Sequence, residues 1–304
     1  MRPDLTEFAP DPDNRPETMQ FDNLTAFLAD GGRHLGRGPV ALVLAEDGVE
    51  VDSTLAHLAR FGFGSIVMFA GPDIAVDAPP ANLLRVTYDT SAEGALPAVV
   101  NGVIGASPGR WFYYCYNAEY LFYPFCEHRS VGEMLGFVAE ERRDSVMSYV
   151  IDLYARDLTA HPDAVDRASA HFDKSGYYAL ATTDATGQTL ERQLEIAGGL
   201  RWRFEEHIPK DRRRTDRVSF FRAQPGLQML PDRTFNIAEY NTYACPWHNN
   251  LTAAVPSFRT AKALRRNPGS RDAISSFYWP QSEKMAWTSA QLLDLGLMEP
   301  GQWF

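Results

Sequence analysis

Residues 111–123 read WFYYCYNAEYLFY, an aromatic run in which Glu119 is the only charge. A run this apolar suits a strand buried on both faces. Asn117 and Glu119 interrupt it two residues apart, where a buried polar group must find partners. The residues alone allow two readings. These are strand-end groups bonded to nearby loops, or the polar floor of a ligand site whose aromatic walls stack on a sugar or base.

Upstream, PVALVLAE (39–46), SIVMFAG (65–71) and NLLRVTYD (82–89) are further apolar strands, and VDSTLAHLARFG (51–62) has helical spacing with Gly62 as a stop. SAEGALPAVVNGVIGASPG (91–109) reads as a helix with Ser91 as N-cap, its start kinked or delayed by Pro97. Residues 39–117 thus read β-α-β-β-α-β, which implies a mostly parallel sheet with crossover helices. Ligands of such sheets bind beyond the carboxyl ends of the strands. That rim holds Glu46, Gly71–Pro72 and Asn117–Glu119. Downstream, Ser130 and Glu133 form a capping-box pattern before a helix over 130–143. SVMSYVIDLYA (145–155) is another strand, and 257–266 and 288–296 read as helices. Residues 190–250 mix short strands with loops.

Composition narrows the function. The 304 residues carry 29 Lys and Arg against 39 Asp and Glu, a formal net charge of −10. A general nucleic-acid binder needs a basic face, so this class is excluded, while local basic clusters remain open to phosphorylated small molecules. Cys115, Cys126 and Cys245 are scattered without a CxxC pair, which fits a reducing compartment. The first residues are acidic and Pro-rich with no apolar leader, and no apolar run is long enough to span a bilayer, so a cytoplasmic location is expected.

With these elements in order, the chain resembles family 2 glycosyltransferases of the GT-A fold, in the bacterial subgroup with a D-x-D-E-F-L type motif. The resemblance is carried by ALVLAEDGVEVDSTLAHLARFGFGSIVMF (41–69) and NGVIGASPGRWFYYCYNAEYLFY (101–123), and covers roughly 39–155. It implies a nucleotide-diphospho-sugar donor and a divalent cation, Mn2+ or Mg2+, on two aspartates. The hard cation neutralises charge on the departing diphosphate. Here both aspartates are replaced. With Glu119-Tyr120-Leu121 set on E-F-L, the aspartate positions become Tyr116 and Ala118. With Asn117-Ala118-Glu119 as the D-x-D itself, one ligand is an amide and the other a carboxylate. His248 matches a single late histidine of the family, which makes Asn117, Glu119 and His248 the expected metal set.

Further candidates come from residue type and place. Glu46 and Asp47 end the first strand, on the rim expected to meet base and ribose. Asp152 lies alone in SYVIDLYA, and with Glu119 it is a candidate general base toward an acceptor hydroxyl. PKDRRRTDRVSFFR (209–222) holds six basic side chains. Lys210, Arg212, Arg213 or Arg214 would replace the metal on a diphosphate, against the ordinary reading of a solvated loop. Trp247, before His248, suits stacking on a sugar ring. Arg259 and Lys262 are expected to face that same loop, and His128 to lie within reach of the site. The aromatic segments WPQSEKMAW (279–287) and LMEPGQWF (297–304) suit closure over the domain or a homo-oligomer surface.

The expected organisation is an irregular arm over 1–20, a GT-A-like α/β domain over 21–255 and a helical packing segment over 256–304. The expected activity is sugar transfer, with inversion, to a glycan, lipid or protein acceptor. The alternative is an inactive relative that binds a sugar nucleotide or a partner protein.

Overall fold

The computed structural model describes residues 18–303. Most of the arm expected over 1–20 therefore lies outside the described residues, and its last part is a strand, β1 (Met19–Phe21). The chain continues through α1 (Leu24–Asp30), β2 (Val40–Ala45), α2 (Val51–Ala59), β3 (Ser65–Ala70), β4 (Leu83–Thr87), α3 (Ala95–Ala106) and β5 (Trp111–Tyr116). Next come α4 (Val131–Glu140), β6 (Ser145–Ala155), β7 (Ala170–Asp173), the hairpin of β8 (Tyr178–Thr183) and β9 (Thr189–Ala197), α5 (Gly199–Arg203) and β10 (Asp216–Arg222). The described chain closes with β11 (Ala253–Ser257), α6 (Arg259–Arg266), α7 (Pro268–Arg271), β12 (Ser282–Lys284) and α8 (Ser289–Asp294).

This is a mixed α/β fold with a mostly parallel central sheet flanked by helices. Strand order is β1-β4-β3-β2-β5-β10-β6-β7-β12, with β11 beside β6. The pairs from β1 to β5 are parallel, and β10 runs antiparallel between β5 and β6. Leu44 lies opposite Tyr116 and Ala45 opposite Ala70, so β2, β3 and β5 end level. The order reverses at β2, with β3 and β4 on one side and β5 on the other. A crevice opens at such a switch point, off the carboxyl ends.

The continuous apolar runs are explained by burial on both faces. Ala41, Val43 and Ala45 of β2 face a core closed by α2, α4 and α8, while Val40, Leu42 and Leu44 face a second core closed by α1 and α3. The capping box at Ser130 and Glu133 forms as its spacing indicates. Helix α3 starts later than Ser91, at Ala95, which leaves Pro97 in the first turn where its missing N–H costs nothing. Ser91 instead bonds Asp89 through its N–H (3.0 Å) and hydroxyl (2.6 Å).

The C-terminal segment is woven into the sheet. A division at 255/256 cuts β11, which pairs with β6 from Ala253↔Ser148 to Ser257↔Asp152. Pro256 is tolerated there because its carbonyl, and not an N–H, is used: it accepts from Tyr120 N at 2.9 Å. β12 adds an edge to β7. No helix among the described residues is long and apolar enough to cross a membrane.

Helix α2 buries a titratable group. His57 packs against Phe61, Tyr120 and Phe122, and its Nε2 lies 2.7 Å from the Leu121 carbonyl. Burial pushes its pKa down to about 4 from 6.5. The unfolded chain therefore binds the extra proton first, and stability falls as pH drops from 6.5 toward 4. The loss is on the order of 3 kcal/mol. A His57→Gln variant, which keeps a donor for Leu121, is expected to flatten this limb of a urea-unfolding series measured against pH. An unchanged slope would remove His57 as its source.

Candidate functional site

Just past β5 the chain turns sharply, with Ala118 in a left-handed conformation at φ 60°. Asn117 and Glu119 flank that turn, both fully buried, and each is saturated by the protein. Asn117 Oδ1 accepts from Glu46 N at 2.9 Å, and its Nδ2 donates to Asp47 Oδ1 (2.7 Å) and to the Val49 carbonyl (2.9 Å). It thus ties together the two chain ends that leave the switch point. Glu119 Oε2 accepts from Tyr116 N at 2.9 Å and Arg217 Nη2 at 2.6 Å, while Oε1 accepts from Arg217 Nη1 at 3.2 Å and Ser257 Oγ at 3.1 Å. Burial alone would raise the Glu119 pKa; the Arg217 guanidinium more than offsets this, and the carboxyl lies below its ordinary value.

Arg217 reaches Glu119 because β10 runs antiparallel to β5, which sets its first residues beside the end of β5. The register of β10 against β6 shifts between Val218 and Phe220, and Arg217 Nε donates to Ser219 Oγ at 2.9 Å within that bulge. Bulges re-aim side chains in this way. The guanidinium lies over the rings of Tyr114 and Tyr116.

The other rim acids are paired as well. Glu46 takes Arg259 bidentately, at 2.6 Å for both contacts, and the Arg259 guanidinium stacks 3.4 Å from the Tyr116 ring centroid. Asp47 takes Lys262 at 3.0 Å and Arg266. Burial works to raise the Asp47 pKa, and Lys262 leads the interactions that bring it below normal. Arg259 and Lys262 therefore face the β2 rim, and not the loop of His248. Asp152, in β6, accepts from Arg201 Nε at 3.3 Å on Oδ1, and its buried Oδ2 has no hydrogen-bond partner. Burial raises its pKa, with Arg201 pulling the other way. Gly199 permits this approach: at φ 61°, a Cβ there would lie 3.1 Å from Asp152 Oδ2.

Beyond these pairs opens a cleft of two lobes that share Arg201, Arg212, Arg233 and Arg259. One lobe adds Arg214, Arg217 and Thr234 together with the acids Asp211, Asp216 and Asp232. The other, about 500 Å3, adds Glu46, His207, Ile208, Pro209, Thr260 and Leu264. In a chain of net charge −10 this concentration of guanidinium is the main electrostatic feature of the rim.

The expected residues separate under this geometry. Glu46 lines the cleft, with Asn117 and Glu119 directly behind the rim and Asp152 behind Arg201. Lys210 is exposed and outside the lining. Arg213 turns away, donating to Glu205 Oε2 at 2.7 Å and to the Glu205 and Ile208 carbonyls, so its neighbours Arg212 and Arg214 carry the loop into the cleft. Trp247 and His248 are at the opposite rim. His248 Nε2 lies 3.5 Å from Glu141 at the end of α4, and Trp247 is 87% exposed. His128 is exposed before α4, whose first residue bonds Phe61 beyond the far end of α2.

The set Asn117, Glu119 and His248 is thus not assembled, and no cluster of three or more His, Cys, Asp or Glu side chains suited to a metal occurs among the described residues. The donor atoms of Asn117 and Glu119 are already engaged, so these residues do not fit a divalent cation as they stand. Arg201, Arg217 and Arg233 were not singled out from sequence. For Arg217 a signal existed: a charge inside the apolar strand DRVSFFR needs a buried partner. No family model matches the chain, and no curated protein matches it.

Glu119→Gln leaves the buried Arg217 charge without its counterion, and a loss of about 3–5 kcal/mol is expected in chemical denaturation. The carboxylate pKa is depressed from 4.5, so its contribution is complete above that pH and fades as pH falls through the lower folded value. The variant is expected to lose that part of the acid limb. A loss under about 1 kcal/mol would mean that the pair is not a structural anchor.

Proposed function

We propose that the arginine-lined cleft binds a nucleotide-diphospho-sugar, and that the protein transfers the sugar to an acceptor hydroxyl in the manner of the GT-A family 2 glycosyltransferases its sequence resembles. The observation that carries this reading is the convergence of Arg201, Arg212, Arg214, Arg217, Arg233 and Arg259 on one cleft at the carboxyl rim of the sheet. Guanidinium forks suit diphosphate oxygens, and the less polar lobe with Ile208, Pro209 and Leu264 leaves room for the rest of the donor. The order β-α-β-β-α-β before the polar rim residues supports the same reading.

In this reading Asp152, fully buried and outside both lobes, serves as the base once Arg201, which covers it from the cleft, turns onto the donor. Burial raises its pKa above the ordinary carboxylate value, against the pull of Arg201, while Glu119 is held by four hydrogen bonds. Arg201 both holds Asp152 and lines the cleft, which couples donor binding to the freedom of that carboxylate.

A second reading is a relative that binds the donor without transferring it. It is favoured by the pairing of Glu46, Glu119 and Asp152, each with its own arginine. Calorimetric titration with a panel of UDP-, GDP- and dTDP-sugars, joined to an assay for released nucleoside diphosphate, separates the two. Binding with release supports transfer, binding without release supports the second reading, and binding of no member overturns both. If transfer occurs, Asp152→Asn is expected to lower kcat by about 100-fold or more with donor affinity nearly unchanged. An unaffected kcat would remove Asp152 as the base.

A further inference from the structure

We propose that the cleft is a diphosphate site that works without a divalent cation, with Arg212 and Arg233 supplying the positive charge that a metal would otherwise bring. It rests on the sugar-nucleotide reading only for the identity of the whole donor; the chemistry named here is that of two linked phosphates.

Three observations lead to it. First, the oxygens that would hold a cation are in use. Glu119 is saturated by Arg217, Ser257 and Tyr116 N, and Asn117 Oδ1 by Glu46 N. A metal entering there would have to displace a buried guanidinium whose own charge then lacks a partner.

Second, the charge in the cleft is unevenly spent. Arg201, Arg214, Arg217 and Arg259 are each paired with a carboxylate. Arg212 and Arg233 line both lobes, and among the described residues neither side chain is in an ion pair or a hydrogen bond; Asp211 and Asp232 also line the first lobe, whereas in the larger lobe the one acid, Glu46, is held by Arg259. In that larger lobe two guanidiniums without a counterion favour a dianion.

Third, Arg233 is held where it is. Its backbone is left-handed, at φ 70°, a conformation that a non-glycine residue keeps only where its surroundings impose it. The turn is closed by Arg233 N to the Leu230 carbonyl (2.9 Å) and Leu230 N to the Thr234 carbonyl (2.8 Å). Asp232 Oδ1 braces it by accepting from Thr234 N at 3.0 Å and Oγ1 at 2.7 Å.

The test is calorimetric titration of the whole protein with inorganic pyrophosphate and with orthophosphate, in buffer containing EDTA. Pyrophosphate is expected to bind in EDTA, more tightly than orthophosphate. The Arg212→Ala, Arg233→Ala double variant is expected to bind it roughly 100-fold more weakly, about tenfold per arginine. Because both side chains are exposed and unpaired, its thermal midpoint should match that of the parent, so a loss of binding is not a loss of fold. Pyrophosphate binding that appears only with Mn2+, or that is unchanged in the double variant, overturns the proposal. If pyrophosphate binds through these arginines while no sugar nucleotide does, the diphosphate site stands and the sugar-nucleotide reading falls. If sugar nucleotides bind only with Mn2+, that reading stands and the cation-free site falls.

Discussion

The Glu119–Arg217 pair is the contact on which the carboxyl rim depends. It joins the turn after β5 to the first residues of β10, and through Ser257 it reaches the end of β11. Three segments distant in sequence are thereby held at one point, between the switch-point strands and the antiparallel strand beside them. A buried ion pair carries a heavy desolvation cost, repaid only when its remaining lone pairs and protons are satisfied. Here both carboxylate oxygens are, by Tyr116 N and Ser257 Oγ as well as by the guanidinium itself. The arrangement favours one geometry strongly, because breaking either half leaves an uncompensated charge in the interior.

The same logic recurs outward from that pair. Asn117 stitches the β2 and β5 exits together, Arg259 clamps Glu46, and Lys262 and Arg266 hold Asp47. Helix α6 is in this way bolted to the strand rim by three cations from successive turns. The acids of the rim are consumed in holding the architecture. What is left in the larger lobe of the cleft is positive, with Asp211 and Asp232 confined to the other lobe, and this turns a sheet end rich in carboxylates into a place for an anion.

The strands from β2 to β6 were legible in the sequence because burial on both faces writes continuous apolar runs such as VALVLA and SIVMFA. Helix α4 was legible from its capping box. β11 was not: AAVPS is short and holds a proline, and its place depends on β6 and on the loop at Tyr120, both far away in sequence. β10 was obscured by the charges Asp216 and Arg217 at its start. At the site, the position of Asn117 and Glu119 just past a strand end could be read, since a polar break in an aromatic run marks where burial must be negotiated. Their partners could not, because Arg217, Ser257 and Arg259 arrive through tertiary contacts. His248 shows the same limit from the other side. A sequence motif carries no information on which end of the sheet a late loop returns to, and this one returns to the end of α4.

The rim acids Glu46, Asp47 and Glu119 are spent on structure, and an anionic ligand in the larger lobe meets arginine without a metal. The most direct measurement is a crystal structure of the protein grown with a nucleoside diphosphate in the presence of EDTA. The diphosphate is expected against Arg212 and Arg233, with the Glu119–Arg217 pair intact behind it. A diphosphate joined to Glu119 and Asn117, with Arg217 displaced from its carboxylate, would contradict it.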